Sequence, residues 1–241
     1  LKKSGIDDKA ITKFCEKLGV KKAISTIDEL KNKILKNLPD GGKQFLDDFA
    51  NASDDVLKKF VEKPELVDAW KKIRTANPEV SKNIGALEAL NAPKGSRADP
   101  KTYLSSDYVA KHLDKFKDGA SCLAPDNVIT DYKKLGRSDG LFVMPQKEMD
   151  DLLKRTGGDI SKIEKELGIP EGEWLRGDDI QIVRFDIRKE NLNNLRMPRG
   201  NEIGANSEWI PGGFTPTGNS EAVINAVDWT NVIQTKISKI E

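Results

Sequence analysis

The chain has 241 residues, with 40 lysines and arginines, 39 aspartates and glutamates, one histidine and two cysteines. Its mean hydropathy of −0.56 and its apolar fraction of 37% are ordinary for a folded protein, so we do not expect wholesale disorder. No stretch approaches the roughly 18 consecutive apolar residues that span a bilayer, and the Lys-rich start has no apolar segment behind it. We therefore expect neither a membrane-spanning helix nor a signal peptide.

The scarcity of histidine and cysteine excludes several kinds of site. With His112 alone, the chain cannot build a ribonuclease site with two histidines or an H-E-x-x-H zinc site. Cys15 and Cys122 lie far apart in the sequence and form neither a C-x-x-C pair nor a four-ligand zinc set. A disulfide between them is possible, but two reduced, buried thiols are the favoured interpretation, and we expect no bound metal.

Residues 1–92 have the pattern of a small helical bundle, which we interpret as a helical linker domain. Ser25–Leu30 is typical of a capped helix start. Apolar residues recur at helical spacing in three later segments; they are Phe45, Leu46 and Phe49, then Val56, Leu57 and Phe60, then Leu66, Val67, Trp70 and Ile73. A segment rich in Pro and Gly, Ala92–Pro100, then interrupts this periodicity and predicts a domain boundary.

Residues 101–241 mix both kinds of element. Helices are predicted at about 103–116, 125–135, 146–155 and 159–167, and strand-like runs cover 140–144, 180–187, 221–227 and 231–237. The pattern predicts an α+β domain with a small antiparallel sheet, placed after the helical bundle.

The charges are divided unevenly between the two parts. Residues 1–94 hold 19 basic and 15 acidic residues, and residues 95–241 hold 21 basic and 24 acidic residues. Because phosphate neutralisation dominates nucleic-acid binding, the acidic excess of the second part argues moderately against an RNA- or DNA-binding surface there.

The longest irregular stretch, residues 195–221, lies between two predicted strands. Loops of more than about 15 residues without internal structure are uncommon unless they are functional or disordered. A disordered linker would not normally carry Trp209, Ile210 and Phe214. We therefore expect an ordered loop whose aromatic side chains anchor it over the sheet.

This loop concentrates side chains that active sites use. The candidates are Arg196 and Arg199 as anion clamps, Glu202 and Glu221 as bases or cation stabilisers, Asn201 and Asn206 as amide hydrogen-bond partners, and Trp209 as a stacking face. The alternative is a crossover rich in Gly and Pro with solvated charges; for the cluster as a whole, function is favoured.

Two residues outside the loop, Arg184 and His112, can likewise be interpreted either as functional or as structural or solvent-exposed side chains. Arg184 lies in a predicted strand, where it could clamp a phosphate or face solvent. His112 shares a helix face with Tyr108, and a lone helical histidine is more often structural or exposed. Gly157-Gly158 and Gly212-Gly213 match neither the dinucleotide fingerprint nor the P-loop.

The long loop contains the pattern Arg196-x-Pro198-x-Gly200-Asn201-Glu202-x-Gly204-Ala205-Asn206-x-x-Trp209-x-Pro211-Gly212-Gly213, followed by Glu221-Ala222-Val223. In this pattern the chain resembles the C-terminal toxin modules of bacterial polymorphic toxins of the Rhs/YD-repeat type. Gly140–Pro145 and Ile163–Pro170 are further segments similar to these modules, whereas Phe45–Phe49 and Lys63–Trp70 are similar to helical segments that precede toxin domains in Rhs/YD-repeat proteins.

The resemblance implies an effector secreted from its producer cell as part of a larger protein and acting in the cytoplasm of a target cell. It also implies a cognate immunity protein as partner and an unidentified macromolecular target in the recipient cell.

The first enzymatic hypothesis is an NAD-consuming toxin, either an ADP-ribosyltransferase or an NAD glycohydrolase, with NAD as substrate. Cleavage of the nicotinamide–ribose bond passes through an oxocarbenium-like transition state, which calls for an arginine, an aromatic ring and a carboxylate. Catalysis is assigned to Glu221, Glu202 and Arg196, and NAD binding to Arg184, Asn201, Asn206 and Trp209.

The position of Glu221 at the start of a late strand resembles the place of the catalytic glutamate in the ADP-ribosyltransferase superfamily. The chain departs from that pattern because no Ser-Thr-Ser strand precedes the glutamate, and Arg184 and Arg137 both remain candidates for the first-strand arginine.

Two alternatives stay open. One is a metal-independent ribonuclease with a Glu or His base, which the base rates of such toxins favour and the acidic balance of residues 95–241 disfavours. The other is a non-catalytic interaction module whose loop binds a partner.

Overall fold

The structure is a computed structural model that describes residues 44–45, 47–49, 54–126, 132–174 and 181–237. Within this part of the chain, residue contacts separate two compact units. The first contains the described residues up to Arg74 together with Pro78–Asn91, and the second contains Thr75–Asn77 and the described residues from Ala92 onward. The helix predicted to begin near Ser25, and Cys15, lie outside the described residues.

The first unit is helical where it is described. Helices α1 (Asp54–Glu62), α2 (Glu65–Ala76, whose last two residues belong to the second unit) and α3 (Ile84–Asn91) account for most of it. The ring of Phe45 contacts the rings of Phe60 and Trp70 edge-on, at centroid separations of 4.8 and 5.2 Å. Trp70 donates its indole N–H to Asp48 over 3.0 Å. Aromatic packing with a satisfied polar group therefore forms the core of this unit.

The second unit combines helices with an antiparallel sheet, which confirms the α+β prediction. Its elements are α4 (Ser106–Leu113), β1 (Ala120–Pro125), β2 (Lys134–Leu135), β3 (Leu141–Pro145), α5 (Gln146–Thr156), α6 (Ile160–Leu167), β4 (Ile182–Ile187), β5 (Ala222–Ile224), β6 (Val227–Asp228) and β7 (Val232–Lys236). Five strands form one sheet in the order β5-β3-β1-β4-β7, and β2 pairs with β6 separately. The pairing is antiparallel at each ladder.

The two faces of the five-stranded sheet carry different side chains because successive residues of a strand point to opposite sides. One face holds the main core, which includes Phe116, Cys122, Val143, Phe185 and Ile224. On the other face a second cluster forms around Met144 of β3, Met149 and Leu152 of α5, and Ile163 of α6, with Leu123 of β1 packed against it. The candidate site lies on this second face.

The helix termini in front of this face follow from local sequence. Asp159 caps α6 by accepting a hydrogen bond from the Lys162 amide over 3.1 Å. Gly168 ends the same helix in the left-handed conformation, with φ of 67°. The buried carboxylate of Glu164 then accepts hydrogen bonds from the amides of Gly172 and Trp174, over 2.8 and 2.6 Å, and fixes the turn after the helix.

Two predictions for the second unit need correction. The helix predicted at 125–135 falls largely on residues 127–131, which lie outside the described residues. Tyr132 is helical, but the prediction is wrong at both ends, since Ala120–Pro125 and Lys134–Leu135 are strands. The predicted set of strands also missed β1, although β1 lies at the centre of the sheet. The sequence of β1, Ala-Ser-Cys-Leu-Ala-Pro, has no β-branched residue, and its pairing with β3 and β4 determines its conformation.

No helix within the described ranges is both long and apolar enough to cross a membrane.

Candidate functional site

A cavity of about 190 Å³ lies between the second face of the sheet and the long loop of residues 195–221. Side chains from strands, helices and loop line it; they include Ser121, Leu123, Phe142, Met144, Met149, Leu167, Trp174, Asn206, Glu208, Trp209, Phe214, Ser220 and Glu221. The loop is ordered by bridges to the sheet and within itself, at Arg196–Val223, Ile210–Phe214 and Phe214–Ser220. A mostly apolar cavity with a few polar groups is the usual form of a small-molecule site.

Glu221 lines this cavity and has a carboxyl group whose pKa lies well above its ordinary value. Its side chain is partly buried and lines the cavity, and its carboxyl group accepts no hydrogen bond from any described residue. Burial, and secondarily the negative charge of Glu202, raise the pKa of Glu221 from 4.5 to about 8. A carboxyl group with this pKa can hold or release a proton near neutral pH, as catalytic acids and bases do.

The backbone of Glu221 is held from two sides. Its amide donates to the Gly213 carbonyl over 2.7 Å, and its carbonyl lies 2.9 Å from Nε2 of His112. His112 is buried in α4, and burial lowers its pKa, so it is suited to donate this hydrogen bond as a neutral ring. Gly213 has φ of 79°, and a Cβ there would approach Nε2 of His112 to 2.6 Å. The lone histidine is therefore a support for Glu221.

The residue before Glu221 is fixed as well. The Ser220 amide donates to Glu148 over 2.6 Å, and the Ser220 hydroxyl accepts from Lys115 over 2.7 Å. Lys115 and Glu148 also lie 3.8 Å apart as an ion pair. These bonds hold the end of the loop against α5 and the turn after α4. The backbone that carries the Glu221 carboxyl is therefore fixed in position.

Glu202 is buried in the loop close enough to Glu221 to influence its charge. Its Oε1 accepts from the Arg199 amide over 3.0 Å, whereas its Oε2 is buried and has no hydrogen-bond partner among the described residues. Leaving a buried carboxylate oxygen unpaired costs free energy, so such an atom calls for an explanation. Glu202 does not line the cavity itself.

Trp209 lines the cavity but is almost fully buried, with 4% of its surface exposed. The Arg97 guanidinium lies over its ring, 4.5 Å from the centroid, and donates to the Gly200 carbonyl over 2.7 Å. Gly200 presses against the same indole, since a Cβ there would lie 2.5 Å from Cδ2. The ring is thus a packed wall more than a free stacking face, and its buried Nε1 has no hydrogen-bond partner among the described residues.

Arg184 is engaged with carboxylates beside the cavity. Its Nε donates to Asp186 over 2.7 Å, its Nη1 pairs closely with Asp150, and its Nη2 donates to the Ser121 hydroxyl over 3.3 Å. Ser121, which lines the cavity, donates a short hydrogen bond to Asp186. Burial opposes the charge of Arg184, but the bonds to Asp150 and Asp186 outweigh it and raise the arginine's pKa. The predicted phosphate clamp is therefore already paired.

Arg196 lies away from the cavity. Its backbone bridges to Val223, and its guanidinium donates to the carbonyls of Asp139 and Asn194. From the sequence we expected Arg196 and Glu221 to lie together in one site. The structure does not bring these two residues together at the cavity.

The two predicted asparagines have structural partners. Asn201 accepts from the amides of Gly95 and Arg97, over 2.8 and 3.2 Å, and donates to the Arg97 carbonyl over 2.9 Å. Asn206 donates to the Gly168 carbonyl over 2.8 Å and accepts from the Glu208 amide at the same distance. Only Asn206 of the pair lines the cavity.

Several cavity residues escaped the sequence analysis. Ser121 belongs to the unpredicted strand β1, and Phe142 and Trp174 carry no sequence signal beyond being aromatic. Cys122 also lines the cavity, but burial raises the pKa of its thiol to about 12, so it is not a thiolate nucleophile. Within the described ranges, no group of three or more His, Cys, Asp or Glu could hold a metal ion.

Comparison with known proteins yields no relative: no family model, no curated protein and no solved structure matches the chain.

Proposed function

We propose that the second unit is an NAD-consuming enzyme, an NAD glycohydrolase or ADP-ribosyltransferase, and that Glu221 is its catalytic residue. The observation that carries this proposal is the Glu221 carboxyl, which stands without a hydrogen-bond partner among the described residues in an aromatic-walled cavity and has a pKa of about 8. The cavity of about 190 Å³ has room for a nicotinamide-sized ring.

The chemistry follows from the charge that develops during bond cleavage. As the C1′–N bond breaks, its electron pair leaves with the nicotinamide nitrogen, and positive charge grows on the ribose. The ionised Glu221 would stabilise this oxocarbenium-like centre until water, or a nucleophile on a target molecule, adds to C1′ and gives up its proton. A positively charged ring next to the carboxyl favours its ionised form, which offsets part of the cost of burial.

The arginines have a smaller part in this proposal than the sequence suggested. Arg184 is paired with Asp150 and Asp186, and Arg196 lies away from the cavity, so we assign only the nicotinamide end of NAD to the cavity. Glu202 enters as a positioning residue, since it acts on the charge of Glu221 without lining the cavity.

The biological role is proposed from the resemblance to toxin modules. Under this proposal, the chain is a secreted antibacterial effector that depletes NAD or ADP-ribosylates a target in the cytoplasm of the recipient cell. A cognate immunity protein neutralises it. The ribonuclease alternative has less support, because no basic residue is among the described residues that line the cavity.

The test measures NAD and RNA together. Purified protein is incubated with NAD and with total bacterial RNA, and both are followed over time. We expect NAD to be consumed and RNA to stay intact, and we expect Glu221→Gln to lower the rate of NAD loss at least a hundredfold, because the neutral amide cannot stabilise the oxocarbenium charge.

Glu190→Gln is the matched control, since Glu190 is exposed on a short turn after β4 and does not line the cavity. This variant should retain the wild-type rate. Degraded RNA with unchanged NAD would replace the proposal with the ribonuclease, and a Glu221→Gln variant as active as the wild type would refute the assigned role of Glu221. Unchanged NAD and RNA would leave the interaction module as the better hypothesis.

A further inference from the structure

The charges that line the cavity are of one sign. Among the described residues that line it, the side chains able to carry charge near neutral pH are the carboxyl groups of Glu208 and Glu221, and neither lysine, arginine nor histidine is present. Glu202 lies behind this lining and adds to the negative charge felt at Glu221. An anionic ligand group would therefore enter the cavity against repulsion, whereas a cationic group would be attracted.

The walls of the cavity also suit a cation. Four of the described residues that line it are aromatic: Phe142, Trp174, Trp209 and Phe214. The faces of aromatic rings carry partial negative charge and attract cations, most strongly where water is excluded.

Two of these rings already attract cations of the protein itself. The guanidinium of Arg97 lies 4.5 Å from the ring centroid of Trp209, and Nζ of Lys115 lies 5.2 Å from that of Phe214. Because neither Arg97 nor Lys115 lines the cavity, they do not occupy its interior. Phe142 and Trp174 remain as aromatic surface for a ligand.

The carboxyl of Glu221 completes the arrangement. It lines the cavity on a backbone fixed by His112 and Gly213, and no described residue hydrogen-bonds to it. Two cations of the same unit are paired with other groups: Lys115 bonds to Ser220 and pairs with Glu148, and Arg184 pairs with Asp150 and Asp186. A ligand cation would therefore supply a counter-charge that none of the described residues lining the cavity provides.

We infer that the cavity selects a flat ring that carries a positive charge, such as a quaternised nitrogen heterocycle, over a neutral ring of the same shape. This inference rests on the proposed function in one respect, because the oxidised nicotinamide of NAD is such a ring. It goes further in assigning recognition to charge, so that the reduced cofactor, whose ring is neutral, is a poor ligand.

The test compares two ligands that differ in charge and hardly in shape. Ring N-methylated nicotinamide is a permanent cation, and meta-methylbenzamide is its neutral carbon analogue. Binding of each to the full chain is measured by isothermal titration calorimetry at pH 8.5. We expect the cation to bind at least tenfold more tightly than the neutral amide.

Variants assign this preference to the carboxyl. Glu221→Gln should reduce the preference at least threefold while leaving the affinity for the neutral amide nearly unchanged, and Glu190→Gln should preserve the wild-type preference. A folding defect in Glu221→Gln does not affect the comparison of the two ligands on the wild-type chain. Equal affinities, tighter binding of the neutral amide, or no binding of the cation at millimolar concentration would overturn the inference.

The outcomes separate this inference from the proposed function. If the cation is selected but NAD is not consumed, the inference stands and the proposed enzyme fails. If NAD is consumed but the two ligands bind equally, the enzyme stands and recognition by charge fails.

Discussion

Glu221 carries a carboxyl group whose protonation is governed by its surroundings, since burial and the charge of Glu202 raise its pKa to about 8. The start of a late strand after an aromatic loop identified the residue, whereas the raised pKa depends on walls contributed by β1, β3, α5 and the turn after α6. Those walls are distant in sequence, and β1 was not predicted at all. The same holds for Arg184, whose partners Asp150 and Ser121 come from two other elements.

The raised pKa of Glu221 predicts a pH-dependent cost to stability. Between its ordinary pKa of 4.5 and the folded value of about 8, the folded chain binds a proton that the unfolded chain has lost. The free energy of unfolding contributed by this group is therefore fully present below pH 4.5 and falls as the pH rises through 8. Glu221→Gln, which cannot ionise, should be more stable than the wild type by about 1–3 kcal/mol at pH 8.5 and equally stable at pH 4.5.

Urea unfolding at both pH values, monitored by circular dichroism, measures this difference. Exposed Glu190 serves again as the control, and Glu190→Gln should change stability equally little at the two pH values. If Glu221→Gln gains no more stability at pH 8.5 than at pH 4.5, the carboxyl is not held in an environment that disfavours its charge.

At the scale of elements, hydrophobic periodicity and capping residues predicted the regular helices. They did not predict strand β1, whose conformation is determined by pairing within the sheet. The spacing predicted α5 and α6 within a residue or two of their observed bounds, because their termini depend on local signals such as Asp159 and Gly168. Strand β1 has a composition of small residues, and its two neighbours in the sheet determine its structure. The conformation of such a strand cannot be predicted from its local sequence.

The long loop depends on close contacts at glycine, which a pair of matched substitutions can test. Gly200 and Gly172 have nearly equal φ values of 73° and 74°. A Cβ at Gly200 would meet the Trp209 ring at 2.5 Å, whereas a Cβ at Gly172 would meet nothing within 4 Å. Both alanine variants incur the backbone strain of about 1–2 kcal/mol, and only Gly200→Ala adds overpacking of about 1–3 kcal/mol.

Chemical denaturation of the two variants should therefore show Gly200→Ala to be the less stable by about 1–3 kcal/mol. Trp209 cannot easily move away, because it is buried beneath Arg97. Equal losses of stability would mean that the loop backbone shifts at residue 200 to make room for the added Cβ. Trp209 would then not be a rigid wall of the cavity.

At the scale of the whole molecule, composition separates a helical part from a mixed part, yet the contacts assign a short stretch near the end of α2 to the second unit, and no local signal marks this assignment. Thr75–Asn77 belong to the second unit although α2 reaches Ala76. Within that unit, Asn77 donates to the Tyr108 hydroxyl over 3.4 Å, and Gly218 approaches the Ala76 carbonyl closely. These are long-range contacts, and the helical periodicity of α2 runs across them without interruption.

The charge balance of the second part predicts how its activity responds to salt. Residues 95–241 carry 21 basic and 24 acidic residues, and the described cavity lining has no basic residue. An enzyme that neutralises six to ten phosphates loses roughly 10³–10⁵ in affinity between 50 and 200 mM salt, because bound counterions are released. A small substrate held by an aromatic cavity and one carboxyl involves few such contacts. We therefore expect kcat/KM for NAD to change less than about threefold over this range.

A purified ribonuclease acting on RNA in the same buffers provides the control for the salt series, since its activity should fall steeply. A comparably steep fall for this chain, accompanied by RNA cleavage, would show that it binds a polyanion despite its acidic balance. A flat profile with intact RNA would instead agree with a site in which one ionisable carboxyl and aromatic walls supply most of the binding.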